Sequence, residues 1–246
     1  MALIMHVALF LGCAVLDLVP ELRDVLLNLL LRLYENVSVI GRGKCCGMPF
    51  LIAGNIKDAM SNGLELSMLL NTYDLIITGC PSCYRMFLYF YPLLNIKLRT
   101  EVKHIVQVIY EALKNGIITL SESIDIKVTY HDPCELARHM DILEEPRYIL
   151  GRIPGLKLVE LPLHGKLSTC CGGGGMMRLL YPKVSQEIAV AKILNEVVPL
   201  NVSAIVTACP FCRFVLKDAI RAIGNDDTLK VFDISELVLM SMGTKK

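Results

Sequence analysis

Continuous apolar runs alternate along the chain with stretches whose apolar residues recur at helical spacing. Residues 4–11 form an apolar run broken only by His6, as a strand covered on both faces requires, and residues 20–34 have helical periodicity with Glu21, Arg23 and Asp24 on the outer side. A β-branched strand at 37–40 runs into Gly41 and Gly43, a helix follows over 56–70, and a third strand spans 75–78. Pro81 opens the next helix at the first-turn position that proline prefers. A strand at 102–106 and a helix at 108–114 close this half. The second half repeats the order, with strands at 126–130, 158–161, 204–207 and 230–233 and helices at 145–150, 184–197, 210–223 and 235–242. Such alternation predicts an α/β fold of small parallel sheets flanked by helices.

The repetition extends to individual residues. Gly79-Cys80-Pro81-Ser82-Cys83 overlays Ala208-Cys209-Pro210-Phe211-Cys212 at an offset of 129 residues. Cys45-Cys46 overlays Cys170-Cys171 at 125, and Cys13 overlays Cys134 at 121. The chain therefore reads as a tandem duplication with five cysteines in each copy. We expect a first module over 1–118 and a second over 119–246, joined through residues 115–125 and related by a pseudo-two-fold axis with their cysteine edges facing each other.

Composition narrows the classes. The 246 residues carry 25 basic and 24 acidic side chains, a balance that offers no field for nucleic acid. Hydrophobic residues make up 54% and mean hydropathy is +0.51, so a membrane span has to be considered. The most apolar stretches, 1–16 and 25–33, fall short of the ~20 residues a spanning helix needs, and the second contains Asn28 and Arg32. The first imitates a lipoprotein leader but has no Lys or Arg ahead of its apolar run, and its Cys13 belongs to the repeat. The expectation is a cytoplasmic protein without a transmembrane segment. Eight of the ten cysteines sit in adjacent or Cys-x-x-Cys pairs, which favours metal ligation over a disulfide scaffold.

In each half the cysteines follow three successive strands, and open α/β sheets bind ligands outside the carboxyl ends of their strands. Cys80-Pro81-Ser82-Cys83 and Cys209-Pro210-Phe211-Cys212 also sit at helix N-termini, where free amides and the dipole favour thiolate. Five thiols exceed the four of a closed zinc site and suit an iron–sulfur cluster better. Gly47 and the run Gly172-Gly173-Gly174-Gly175 have no Cβ, so the backbone can pass close to a bulky group. Gly47, Gly172, Gly173 and Gly174 are therefore expected to cradle the cofactor. Zinc remains an alternative, chiefly for the first half.

These residues resemble the cysteine-rich CCG domain family, found in the B and D subunits of heterodisulfide reductase and in iron–sulfur subunits of glycolate, lactate, glycerol-3-phosphate and succinate oxidising systems. The family pattern is a cysteine, a Cys-Cys pair and a Cys-x-x-Cys; here the intervals are 31 and 33 residues in the first half and 35 and 37 in the second. The resemblance implies that Cys13, Cys45, Cys46, Cys80 and Cys83 hold one [4Fe-4S] cluster, non-cubane in heterodisulfide reductase. Cys134, Cys170, Cys171, Cys209 and Cys212 would hold the other and carry catalysis. It also keeps zinc open for the first module, since some members have been assigned one there. The implied activity is an electron-transfer and catalytic subunit that reduces a small disulfide or oxidises thiols. The alternatives are an electron relay in a lactate-, glycolate- or succinate-type dehydrogenase complex, or a zinc-stabilised assembly module. No ferredoxin-type cysteine run and no Gly-x-Gly-x-x-Gly fingerprint occurs, so the implied partners are a ferredoxin-type iron–sulfur subunit, a flavoprotein subunit, or both. Peripheral membrane association would come through such a partner.

Other side chains near the motifs have two readings each. His131, beside Asp132 and ahead of Cys134, is either a proton donor to a leaving thiolate or scaffold at a strand end. His164 and Lys166, upstream of Cys170, would steer an anionic substrate or an anionic partner. Arg85 and Arg213 follow their Cys-x-x-Cys motifs by two and one residues and read as matched, either tuning a cluster or lying on solvated helix faces. The aromatic stretch 84–91 reads as core or as a docking face.

Overall fold

The computed structural model describes residues 5–243, so residue 4 of the first expected strand lies outside the described part. The first sheet contains β1 (Val7–Phe10), β2 (Val37–Ile40), β3 (Leu75–Thr78) and β4 (Glu101–His104), all parallel, in the order β2-β1-β3-β4. The second contains β5 (Lys127–Tyr130), β6 (Lys157–Leu158), β7 (Ala204–Thr207) and β8 (Lys230–Asp233), again parallel, in the order β6-β5-β7-β8. Two modules with one topology bear out the α/β reading. The chain divides into two compact units, Met1–Val108 and Ile109–Lys246.

The central strands β1, β3 and β7 are buried along their whole length, which is why they read as apolar runs, closed by a threonine in β3 and β7. The principal helices are α1 (Leu22–Leu30), α2 (Ile56–Leu70), α3 (Pro81–Arg85), α4 (Ile105–Lys114), α5 (Glu144–Leu150), α6 (Pro182–Lys192), α7 (Pro210–Ala222) and α8 (Ile234–Ser241). Three of them begin on proline, as expected of the first turn. The last turn of the helix that begins as α6 is a π turn, Ile193–Val197. Among the described residues no helix is long and apolar enough to cross a membrane.

Three elements depart furthest from their expected bounds. The strand expected at 102–106 ends at His104, because its Nδ1 accepts the Val106 N–H at 3.3 Å and turns the chain straight into α4. The strand expected at 158–161 pairs only over Lys157–Leu158; after the Val159 N–H bonds Val128 O at 2.8 Å, Glu160 turns to Arg147 and leaves the ladder. The helix expected over 20–34 is regular only over Leu22–Leu30 and unwinds in turns to Tyr34.

In both sheets the chain order reverses at the central pair, β1 beside β3 and β5 beside β7. Cys13 and Cys80 follow the first pair; Cys134 and Cys209 follow the second. The carboxyl edge at such a reversal opens a crevice, and there the thiols gather.

Candidate metal centres

The five thiols of each module touch in the same sequence. In the first, Cys13 hydrogen-bonds Cys45, Cys45 meets Cys46, Cys46 meets Cys83 and Cys83 meets Cys80. In the second the chain of contacts is Cys134, Cys170, Cys171, Cys212, Cys209. All ten thiols are free. Both Cys-x-x-Cys pairs and the second cysteine of each Cys-Cys pair are buried, whereas Cys13, Cys45, Cys134 and Cys170 lie toward solvent. Each cradle is closed at its floor and open along one side.

The Cys-Cys loops direct backbone donors onto their own sulfurs. Gly47 N–H points at Cys45 Sγ at 3.4 Å and Gly172 N–H at Cys170 Sγ at 3.3 Å. Met48 N–H reaches Cys46, and Gly173 N–H reaches Cys171 at 3.4 Å. Successive amides turned to one side form an anion-binding nest. The sulfur that gains most is the first of each pair. Hydrogen bonds from Cys13 and Cys46, with the Gly47 amide, lower Cys45 to about 3; those from Cys134 and Cys171, with the Gly172 amide, lower Cys170 to about 2. Thiolate character was expected at the helix N-termini instead. Inside the helices, hydrogen bonds from neighbouring cysteines and burial push Cys83 and Cys212 up, so the dipole is outweighed there.

The glycines take their places for packing as well as for access. Gly47 and Gly172 have φ of +100° and +84°, a region closed to most side chains. A Cβ on Gly172 would lie 2.7 Å from the Ser185 carbonyl of α6, and one on Gly173 would lie 2.7 Å from Val215 of α7. These two let the loop sit against both helices while their amides face the thiols. Gly174 has open space where its Cβ would be. Gly12 escaped the sequence reading: at φ +67°, a Cβ there would come within 3.0 Å of Cys83 Sγ and fill the first cradle. Its one signal was its place immediately before Cys13.

The second module surrounds its thiols with ion pairs. Asp132 takes both terminal nitrogens of Arg147 at 2.9 Å and the Gly165 N–H at 2.7 Å, and Arg147 also bonds Glu160. Buried Lys192 donates to Thr169 Oγ1 at 2.6 Å and to Glu196 at 2.8 Å, fixing the residue before Cys170. Buried Arg213 forks onto Glu236 with two bonds of 3.0 Å. Sheet register pairs Arg213 with Tyr84, since both strands that flank these helices share the 129-residue offset; the expected match with Arg85 is therefore off by one. Arg85 lies over the rings of Tyr89 and Phe90, and neither arginine sits on a bare solvated face. Lys166 pairs with Asp141, and His164 Nδ1 lies 2.9 Å from the Leu161 carbonyl. Of the aromatic stretch, Tyr84, Phe87 and Tyr91 are buried and Tyr89 is exposed.

His131 is buried with its Nδ1 unpartnered, and an imidazole nitrogen lies within 4.8 Å of the sulfurs of Cys171 and Cys212. Burial, reinforced by nearby Lys192, lowers it to about 3, so the ring is neutral. A ring of soft sulfur donors on a floor held by backbone amides fits a polynuclear iron–sulfur group, which takes cysteine thiolates as ligands.

The family model of the cysteine-rich domain, CCG, matches residues 7–88 and 128–217. Over 238 residues the chain is 34% identical to the B subunit of the fumarate reductase (CoM/CoB) of Methanothermobacter marburgensis, covering 96% of this chain and 46% of that protein. Over 206 residues it is 31% identical to the D subunit of the dihydromethanophenazine:CoB--CoM heterodisulfide reductase of Methanosarcina acetivorans, covering 81% and 49%. It is also 32% identical over 172 residues to the probable iron-sulfur-binding oxidoreductase FadF of Bacillus subtilis, covering 70% and 24%. The chain spans about half or less of the length of these relatives.

Proposed function

The chain belongs to the CCG cysteine-rich domain family, and from that premise we propose that it is an iron–sulfur subunit of an oxidoreductase that reduces a small disulfide or oxidises the corresponding thiols. The observation that carries this reading is the pair of five-thiol cradles with one contact order, each with amide donors on its Cys-Cys sulfurs. Cys13, Cys45, Cys46, Cys80 and Cys83 would hold one cluster and Cys134, Cys170, Cys171, Cys209 and Cys212 the other. Bound there, such clusters supply one-electron transfer and iron sites with affinity for sulfur.

The protein's own contribution is placement. Buried Cys171, Cys209 and Cys212 close the floor of the second cradle to water, while Cys134 and Cys170 leave the side by which a small thiol or disulfide would enter. The Thr169–Lys192–Glu196 and Asp132–Arg147–Glu160 networks hold the segments on which Cys170 and Cys134 stand. On this reading the second module is the site of substrate turnover, and the first passes electrons from a partner subunit with ferredoxin-type clusters or a flavin. A relay in another dehydrogenase complex is the competing reading, favoured by relatives whose names carry other oxidoreductase activities.

The test is anaerobic purification with iron, sulfide and zinc quantified per chain, followed by reduction and challenge with a small organic disulfide. About eight iron and eight sulfide, the load of two four-iron clusters, with thiol release from the disulfide, is the expected outcome. Reversible reduction without thiol release selects the relay. Zinc in place of iron in both cradles overturns the redox reading.

A further inference from the structure

His131 and Phe10 occupy one place in their two modules. The register of β1 on β3 and of β5 on β7 equates Val7 with Val128, and the same offset of 121 residues carries Phe10 onto His131 and Cys13 onto Cys134. Both side chains are buried at the floor of a cradle. Phe10 has nothing to donate and packs edge-on against Phe87 with ring centroids 5.1 Å apart. His131 brings a polar ring to the same place.

Its backbone cannot drift. The His131 N–H donates to Val206 O at 2.8 Å, and its carbonyl accepts the Thr207 hydroxyl at 3.1 Å, so the residue is pinned to β7 on both sides. Its ring is 1% exposed, Nδ1 has no hydrogen-bond partner, and the ring stands within 4.8 Å of two ligand sulfurs. A buried polar atom held unpartnered in a rigid frame calls for a partner that arrives later. An imidazole always keeps at least one N–H, and a nitrogen of this ring has the sulfurs of Cys171 and Cys212 within 4.8 Å.

We propose that His131 donates an N–H hydrogen bond to a sulfur of the cluster held in the second module, and that this bond sets that centre at a higher reduction potential than it would otherwise have. A donor aimed at cluster sulfur stabilises the added electron, and second-layer contacts of this kind tune metal centres generally. The first module lacks the donor because Phe10 replaces it. The inference rests on the iron–sulfur reading above and assigns a potential difference within it.

The test uses the full chain loaded anaerobically with ferrous iron and sulfide, with histidine labelled by nitrogen-15, in wild-type, H131F, H131N and F10H forms. Iron content is measured first, then the midpoint potentials, then pulsed electron paramagnetic resonance of each centre. In H131F, which copies the first module, one potential falls by about a tenfold shift in the reduction equilibrium, ~59 mV for one electron. The weakly coupled histidine nitrogen and an exchangeable proton disappear from that centre's spectrum. H131N, which keeps an N–H donor, recovers part of the potential, and F10H raises that of the other centre. Full iron with unmoved potentials in H131F and F10H overturns the inference and leaves the iron–sulfur reading intact. A strongly coupled nitrogen typical of direct ligation overturns it in favour of a histidine ligand. Absence of iron from the second module overturns both.

Discussion

The two modules share a topology and a contact order of five thiols, yet they brace those thiols by different physics. In the first the buried braces are uncharged, the Lys44–Glu65 pair beside Cys45 being exposed: Asn62 donates to Cys45 O at 2.8 Å, Tyr91 donates to Cys46 O at 3.1 Å, and Leu66 and Phe10 fill the space behind. In the second the corresponding shell holds Lys192 with Glu196, Arg213 with Glu236, and His131. The inner stripe of α2, Ala59, Gly63 and Leu66, maps onto Ser185, Ala189 and Lys192 of α6, so a buried leucine in one copy is a buried cation in the other. The π turn that follows Lys192 absorbs one residue and restores the packing, with Val197 where Leu70 stands. A duplicated scaffold thus keeps one set of ligands while the electrostatics around it diverge.

The sharpest way to break this comparison is to convert the second brace into the first. The Lys192 side chain is 2% exposed and that of Glu196 16%, so K192L strands a carboxylate out of water and is expected to cost about 3–5 kcal/mol. K192L/E196L, which removes both charges, is expected to recover most of that loss, because apolar replacements of a buried pair are often neutral. Urea unfolding of both variants checks it. Equal losses in the single and double variants would mean that the pair itself, and not its desolvation, carries the stability.

Much of this was legible in the chain. Strands β2, β3, β7 and β8 and helix α2 lie where periodicity placed them, and the cysteine repeat located both cradles, because backbone period and ligand spacing are local properties. The charged shell was not legible. Lys192 falls on the inner face of α6 beside small Ser185 and Ala189, and that small-residue stripe was the available signal that a long side chain threads inward. Arg213 was misread as the mate of Arg85 because the two motifs were counted from their cysteines and not from the strands that fix their register. Gly12 was overlooked for a related reason: the atom its missing Cβ leaves room for belongs to Cys83, 71 positions along the chain.

A second contrast lies at the last helix of each module. His104 caps α4 by accepting Val106 N–H at 3.3 Å, and Asp233 caps α8 by accepting Ser235 N–H at 2.9 Å; Gln107 and Glu236 complete the two boxes. Burial moves the two caps in opposite directions, His104 down from 6.5 to about 3 and Asp233 up from 3.8 to about 7. Folded Asp233 keeps its proton where the unfolded carboxyl has released one, so its contribution is lost as pH rises from about 4 to about 7. Folded His104 stays neutral where the unfolded imidazole takes up a proton, so its contribution is lost as pH falls from 6.5 toward about 3. D233N, which keeps a capping oxygen, should therefore stabilise α8 at pH 8 and converge on wild type near pH 4. The shift of about three units at ~1.4 kcal/mol each sets the ceiling near ~4 kcal/mol. H104N should help only at the acid end. Hydrogen exchange of α4 and α8 amides across pH 4.5–8 reads the two separately, and slopes of the same sign in both helices would refute the contrast.

The smallest effect isolates the neutral brace. Tyr91 is fully buried, its ring packs edge-on against Phe87 at 5.3 Å, and its hydroxyl is the donor to the Cys46 carbonyl. Burial pushes that hydroxyl well above its ordinary range, so it remains a donor at every pH at which the protein is handled. Y91F keeps the ring and its packing and deletes one hydrogen bond, at an expected cost of about 1 kcal/mol. The π turn Met86–Phe90 has no counterpart in α7 and absorbs one residue, so Ala219 stands at the equivalent position in the second module, where no hydroxyl is available to that loop. Faster exchange should therefore appear at the amides of Gly47 and Met48, which face the Cys45 and Cys46 sulfurs, while those of Gly172 and Gly173 stay at their wild-type rates. Acceleration in both loops would mean that the two cradles do not open independently; acceleration in neither would mean that Asn62 alone carries the first loop.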